Sequence, residues 1–320
     1  MRVLVTETIH EKGMAYLRER FDVVEGGNTH DEDTICSLIG NCDAVLIRTA
    51  KITRRVIESA PGLKCIAKHG VGVDNVDIAA ATERGVAVVN APFSNCNAVA
   101  EHCLCFMLAM LKQTVHADAE MRKGNYVALR AGTKLSELTG KTVGFVGVGR
   151  IAQRIMELLS PFRVSLLAYD PYAGPEVFAK TGAKRFEVLE EMLAEADIVS
   201  IHVPLTAETK GLFGVDVIRK MKKGAYLVDA ARGGIVEEAA VVATLESGHL
   251  AGAAFDVYVT EPPLQDNALV ACPKTLLSPH SAALTVESLE NMAVQAAENL
   301  TAVLENREPT SCVNKTALKS

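Results

Sequence analysis

At 320 residues the chain is too long for one ordinary core and suits two domains. Hydrophobic residues make up 49% of it and the net charge is −6 with no basic run, so composition gives no support to nucleic-acid binding. No apolar run approaches the roughly 18 residues of a membrane span, and the N-terminus, Met1-Arg2-Val3-Leu4-Val5, enters a strand at once and is too short for a signal peptide, so the expectation is a cytoplasmic protein with no membrane partner.

Strands and helices alternate through the first ninety residues. Short apolar runs predict strands at 3–6, 21–24, 44–47, 65–68 and 86–89, with helices near 10–20, 31–39, 53–59 and 76–84. This alternation implies a parallel sheet covered on both faces. The first strand-to-helix turn, Thr6-Glu7-Thr8-Ile9-His10, cradles phosphate poorly, so this block is expected to do something other than hold a nucleotide. After the fourth strand comes Lys68-His69-Gly70-Val71-Gly72. Its glycines expose N–H groups able to hold a carboxylate, and the alternative is a plain glycine-rich turn. His69 is a possible acid or base. Residues 98–123 read as one long helix, too hydrophobic for a single exposed face and therefore buried on two sides.

Residues 143–153 are the most informative stretch. A predicted strand at 143–146 ends in Gly147-Val148-Gly149-Arg150-Ile151-Ala152, and a helix is predicted at 151–159. Gly147 permits the tight turn, Gly149 lets backbone approach a pyrophosphate, and Ala152 lets helix and sheet pack closely. The helix N-terminus then offers N–H groups to phosphate. A second strand at 164–169 runs into Asp170, placed to accept hydrogen bonds from ribose hydroxyls. That carboxylate repels a 2′-phosphate, and Pro171 and Tyr172 supply no compensating cation, so NAD is expected over NADP. Further strands are predicted at 198–202, 225–229, 252–256 and 275–278, six in this domain, and an amphipathic helix at 286–304.

Three strand ends carry candidate chemistry. Arg232 follows the strand at 225–229, where ligands sit in parallel sheets, and suits a carboxylate; the alternative is an ion pair with Asp229. Asp256 ends the next strand, and Glu261 follows on its loop. His280 stands on a small-residue loop after Pro279. Oxidising a hydroxy acid needs a base for the hydroxyl proton, an imidazole serves in both directions, and a carboxylate such as Glu261 would stabilise its charged form. The eight cysteines form no C-x-x-C pair and read as free thiols in a reducing compartment, Cys96 being the most polar in setting. No metal site is expected.

Seven motifs, in order, make the chain resemble the D-isomer-specific 2-hydroxyacid dehydrogenase family. They are residues 69–77, 97–102, 147–153, 202–206, 231–236, 254–258 with Glu261-Pro262, and 278–282. The first two look most like the phosphoglycerate-dehydrogenase-like branch. The resemblance implies two doubly wound α/β domains: a flavodoxin-like substrate domain from 1–97 plus 288–320, and a Rossmann NAD-binding domain over 98–287, with the active site in the cleft and a homodimer as the rule. It implies Arg232, Glu261 and His280 as catalytic residues and Asp256 as the acid on the nicotinamide carboxamide. It puts Val99, Gly147, Gly149, Arg150, Ile151, Asp170, His202, Pro204, Thr209 and Ala230 on the cofactor. It puts Arg48, Gly70, Val71 and Gly72 on the substrate together with Arg232 and His280. Ala152, Asp229 and Glu237 depart from the commoner Gly, Asn and Asp, and Asp229 sets a negative charge near Arg232. With the sequence ending at Ser320, the expectation is that the regulatory C-terminal domain carried by some phosphoglycerate dehydrogenases is absent. The expected activity is NAD-dependent oxidoreduction of a small D-2-hydroxy or 2-keto acid, 3-phosphoglycerate or another acid with an anionic C3 group included. The alternative is an NAD-linked protein of the same fold, like the C-terminal-binding-protein corepressors, with little turnover. Formate dehydrogenases pair the histidine with Gln, so Glu261 argues against that reading. The identity of the acid, the physiological direction and the roles of Lys68, His69 and Cys96 stay open at this level.

Overall fold

The computed structural model describes residues 1–319. Two compact units divide the chain: Met1–Cys96 together with the segment from Ala283 onward, and Asn97–Ala282. In chain order the elements begin β1 (Arg2–Val5), α1 (Glu11–Arg18), β2 (Asp22–Glu25), α2 (Glu32–Ile39), β3 (Ala44–Ile47), α3 (Arg54–Glu58), β4 (Cys65–Lys68), α4 (Ile78–Glu83) and β5 (Ala87–Val89). Then follow α5 (Cys96–Lys112), α6 (Thr114–Arg122), α7 (Tyr126–Gly132), β6 (Thr142–Val146), α8 (Arg150–Leu159), β7 (Ser165–Tyr169), α9 (Pro175–Thr181) and β8 (Lys184–Phe186). The last are α10 (Leu189–Glu195), β9 (Ile198–Ile201), α11 (Val215–Ile218), β10 (Ala225–Asp229), α12 (Glu238–Glu246), β11 (Leu250–Phe255), α13 (Ala268–Ala271), β12 (Thr275–Leu277) and α14 (Val286–Leu304).

In the first unit five parallel strands lie in the order β2-β1-β3-β4-β5. Every residue of β3 is buried, as a central strand covered on both faces requires. Side chains alternate between those faces. Val3, Val5, Leu46 and Ala67 meet Ala293, Ala296, Ala297 and Leu300 of α14 on one side. Leu4, Val45, Ile47 and Ile66 meet Ile35, Ile39, Val56 and Ile57 of α2 and α3 on the other. Asp31, Thr53 and Asp77 start α2, α3 and α4 by accepting a backbone N–H three residues on. Gly13 lets α1 approach α14 closely, since a Cβ there would stand 2.7 Å from the Cβ of Ala293 and 2.9 Å from its backbone.

The second unit is a seven-stranded parallel sheet in the order β12-β11-β10-β9-β6-β7-β8. Chain order reverses between β9 and β6, which makes the carboxyl ends of these strands a switch-point crevice. Two expectations need correction. Six strands were predicted and there are seven: Lys184–Phe186 is an edge strand whose one buried apolar residue, Phe186, makes no run. The single helix over 98–123 is two helices, because Gln113 adopts φ +49° and the axes bend by 57° there. Helix α5 buries eight side chains, whereas α6 and α7 bury none and leave Val115, Tyr126 and Val127 exposed. Among the described residues no single helix is long and apolar enough to cross a membrane.

Candidate active site

The glycine turn after β6 lies at the switch point. Gly147 adopts φ +90°, and a Cβ there would come within 2.7 Å of the His202 carbonyl oxygen, so only glycine fits. Gly149 is the N-cap of α8, makes no side-chain cap, and has nothing within 4 Å of where a Cβ would point. The first turn of α8 therefore presents its N–H groups to open space, and Arg150 beside it is exposed while Ile151 is half-buried. This cradle fits a dinucleotide pyrophosphate.

Asp170, just past β7, is half-buried and bonded on both oxygens. Val148 N–H donates to Oδ2 at 2.9 Å, and Tyr172 and Ala173 N–H donate to Oδ1 at 2.9 and 3.2 Å. It fixes the glycine turn against the next loop. After β9, His202 stacks on Phe145 with ring centroids 5.9 Å apart and shares a 2.8 Å bond with Ser200. Burial pushes His202 down to about 3, so its ring is neutral at physiological pH. Thr209 bonds the Pro204 carbonyl at 2.6 Å and closes the exposed turn between them. Ala230 is half-buried at the end of β10. Val99 is 6% exposed, an interior residue of α5.

The catalytic candidates gather on three neighbouring loops of the same unit. His280 Nδ1 and Glu261 Oε2 are 2.7 Å apart, and Tyr258 N–H donates to Oε1 of Glu261 at 3.1 Å. That bond raises His280 above the ordinary imidazole value, against partial burial and the Arg232 charge. Burial pushes Glu261 up, but the bonds from His280 and Tyr258 and the Arg232 charge outweigh it, and its carboxyl lies below the usual range. Arg232 donates to the Ala231 carbonyl at 2.6 Å. The neighbouring Gly233 lies so close to Tyr258 that a Cβ would overlap the Tyr258 carbonyl, and this packing brings the Arg232 loop onto the Glu261 loop. Asp229 is 1% exposed, accepts the Ala231 N–H at 2.9 Å, and is pushed up to about 7 by burial.

Asp256 is 1% exposed and its oxygens serve the protein. Ser278 Oγ and Ser281 N–H donate to Oδ1 at 2.5 and 2.8 Å, and Ala282 N–H donates to Oδ2 at 2.9 Å. It thereby grips both ends of the loop that carries His280. His102 of α5 extends this network, with Nε2 2.9 Å from Ser278 Oγ, and Tyr258 OH donates to the Ser278 carbonyl at 2.8 Å. Sequence reasoning assigned nothing to His102 or Tyr258. The available signal was a polar ring among the apolar residues of α5.

In the first unit, Arg48 and the Gly70-Val71-Gly72 turn follow the adjacent strands β3 and β4. Gly70 adopts φ +136°. Arg48 is half-buried and donates to the Thr8 carbonyl at 2.9 Å. Lys68 is turned onto the Arg48 carbonyl and Asn75. His69 is 6% exposed, has an unpartnered Nε2, and is pushed down to about 4 by burial and by Arg48.

Residues 104–282 match the model described as D-isomer specific 2-hydroxyacid dehydrogenase, NAD binding domain. The chain is 38% identical over 301 residues to the D-3-phosphoglycerate dehydrogenase of Archaeoglobus fulgidus, covering 94% of this chain and 56% of that protein. It is 38% identical over 315 residues to the enzyme of the same name from Mycobacterium tuberculosis, covering 98% and 58%. It thus spans less than three fifths of the length of these relatives. Its structure is similar to the TT0316 protein of Thermus thermophilus, with TM-score 0.88, 35% identity, and coverage of 98% of this chain and 100% of that one. It is also similar to a glyoxylate/hydroxypyruvate reductase of Sinorhizobium meliloti, described as NADPH-dependent and solved with NADP and malonate, with TM-score 0.87, 29% identity, and coverage of 99% and 97%. A family match over more than half of the chain, and relatives aligned over nearly all of it, place the switch-point crevice and the Arg232, Glu261 and His280 loops in a known lineage: the chain belongs to the D-isomer specific 2-hydroxyacid dehydrogenase family.

Proposed function

We propose that the chain is an NAD-dependent D-2-hydroxyacid dehydrogenase acting on a small acid with an anionic group at C3, with 3-phosphoglycerate the first candidate. The observation that carries this reading is the 2.7 Å bond between His280 and Glu261, on loops that neighbour the Arg232 loop. The names of the 38%-identical relatives point to 3-phosphoglycerate and favour turnover over a nucleotide-linked binding protein. The Gly147–Gly149 turn and the first turn of α8 would hold NAD, which would supply the hydride acceptor for C2 in oxidation and the donor in reduction. With Nδ1 engaged by Glu261, His280 Nε2 is the nitrogen that takes the hydroxyl proton. Arg232 holds the C1 carboxylate and polarises the C2 oxygen. Gly70, Val71 and Gly72 offer N–H groups to the carboxylate, and Arg48 is the cation assigned to the C3 substituent. Asp256, as well as facing the carboxamide, holds the His280 loop.

Asp170 supports NAD over NADP, since its fixed carboxylate opposes a 2′-phosphate. The exposed apolar side chains Val115, Met121, Tyr126 and Val127 on α6 and α7 support a second copy of this chain as the partner that covers them. Eight free cysteines suit a reducing compartment such as the cytoplasm.

The test is a panel of 3-phosphoglycerate, hydroxypyruvate and glyoxylate, with NAD(H) and NADP(H) followed optically. The expected result is turnover with NAD as the better cofactor and 3-phosphoglycerate the best substrate. Absence of turnover on every acid overturns the enzyme reading. Preference for glyoxylate overturns the anionic C3 assignment alone.

A further inference from the structure

Glu7 is a buried acid that none of the steps above uses. It is 5% exposed and follows β1 in the first unit. Five donors converge on its carboxylate. Thr49 N–H and Oγ1 donate to Oε1 at 2.7 and 2.6 Å. Arg48 N–H, Ala50 N–H and Thr6 Oγ1 donate to Oε2 at 2.7, 3.3 and 2.9 Å. Three consecutive backbone N–H groups, those of residues 48–50, thus wrap one internal anion as a backbone nest wraps a bound one. Because the protein fills this nest itself, the loop after β3 has its side chain, not its backbone, to offer a ligand.

That side chain is Arg48, and the structure grips the residue from several directions. Its N–H is held by Glu7, its carbonyl accepts from Lys68 Nζ and, at 3.5 Å, from Asn75 Nδ2, and its guanidinium donates to the Thr8 carbonyl. Asn75 also donates to the Ala50 carbonyl at 2.6 Å, closing the loop from its other side. Lys68, whose role the sequence leaves open, takes part in this grip. The loop lies at the carboxyl end of β3, beside the end of β4 that leads to Gly70, the edge of a parallel sheet where ligands bind.

We propose that Glu7 is a positioning residue for the substrate, acting through Arg48; this rests on Arg48 being the contact for the anionic C3 group. Glu7 does not meet the substrate. It fixes where the guanidinium starts, so that binding the acid costs little ordering of the loop. Glutamine cannot replace it. Both carboxylate oxygens accept backbone N–H groups, so either orientation of the amide turns NH₂ toward an N–H.

The experiment compares wild type, Arg48→Gln, Glu7→Gln and the double variant, with KM and kcat for 3-phosphoglycerate and calorimetric affinities for 3-phosphoglycerate and ADP-ribose. Arg48→Gln is expected to raise KM and the 3-phosphoglycerate Kd by about 10- to 100-fold, the range for losing a charge-assisted contact. Glu7→Gln is expected to raise both by about tenfold, with kcat within about threefold and ADP-ribose affinity unchanged, the pattern of lost ground-state binding. The double variant is expected to be no worse than Arg48→Gln alone, because the two changes remove one interaction. Additive losses, or a Glu7→Gln variant with wild-type KM, overturn the proposal and leave the Arg48 assignment standing. Wild-type KM in Arg48→Gln overturns both. If Glu7→Gln fails to fold, Thr49→Val carries the same cycle. It deletes one of the five donors and keeps the charge, and a smaller KM rise that vanishes in the Arg48→Gln background is the supporting result, while an unchanged KM overturns the proposal.

Discussion

His280 occupies the left-handed region at φ +52°, where Asn is tolerated better than Ala. His280→Asn is therefore the cleaner removal of the imidazole. It is expected to lower kcat by about 10²–10⁴-fold, with ADP-ribose affinity at the wild-type level in calorimetry. Reduction needs the protonated ring, and His280 lies above the ordinary imidazole value because of Glu261. The rate of reduction should fall as pH rises through that raised value. Glu261→Gln should move this limb to lower pH in a pH–rate profile. Asp229 makes a stability prediction. Unfolded, it sheds its proton near 3.8; folded, burial holds the proton until about 7. Between those values the unfolded state binds fewer protons, so stability falls as pH rises across that window. Asp229→Asn should flatten the trend in urea unfolding at several pH values and stabilise the protein at pH 7.5, by roughly 4 kcal/mol at most. The placement of Arg232, Glu261 and His280 after strand ends was legible because each follows a recognisable strand. The grip of Asp256 on Ser278, Ser281 and Ala282, and that of Glu7 on residues 48–50, were not. Such bonds join residues far apart in the chain, and nothing in local spacing announces them.

Among the elements, β3 and β4 were read to the residue, since a strand buried on both faces is an apolar run with polar neighbours. Helix α14 was equally plain from its periodicity. β8 escaped because an edge strand of three residues needs no apolar run, and the break at Gln113 escaped because neither Gly nor Pro marks it. The close approach of α1 to α14 was invisible for another reason: Gly13 looks like a weak point in a helix until its neighbour is known. Gly13→Val should push a side chain into the Ala293 backbone, which cannot step aside. The expected cost is about 1–3 kcal/mol in urea unfolding, larger than the same change at an exposed helical site.

At the scale of the molecule, the first unit is assembled from both ends of the chain, and the second is one unbroken stretch. The face formed by Val3, Val5, Leu46 and Ala67 is covered by Met14 and Leu17 of α1 together with α14, and α14 comes more than two hundred residues later. A ribosome making this protein therefore releases strands β1 to β5 long before α14 exists. Synthesis usually favours the N-terminal domain folding first. Here residues 97–282 have every strand of their own sheet in hand while the earlier segment still waits, its apolar face covered by α1 alone. Nascent chains halted before residue 286 should show a protease-resistant second unit behind a protease-sensitive beginning. Release of the remaining residues should then protect both together. The order in which the two units can fold during manufacture, a property of birth rather than of the finished fold, follows from where one helix lies in the sequence.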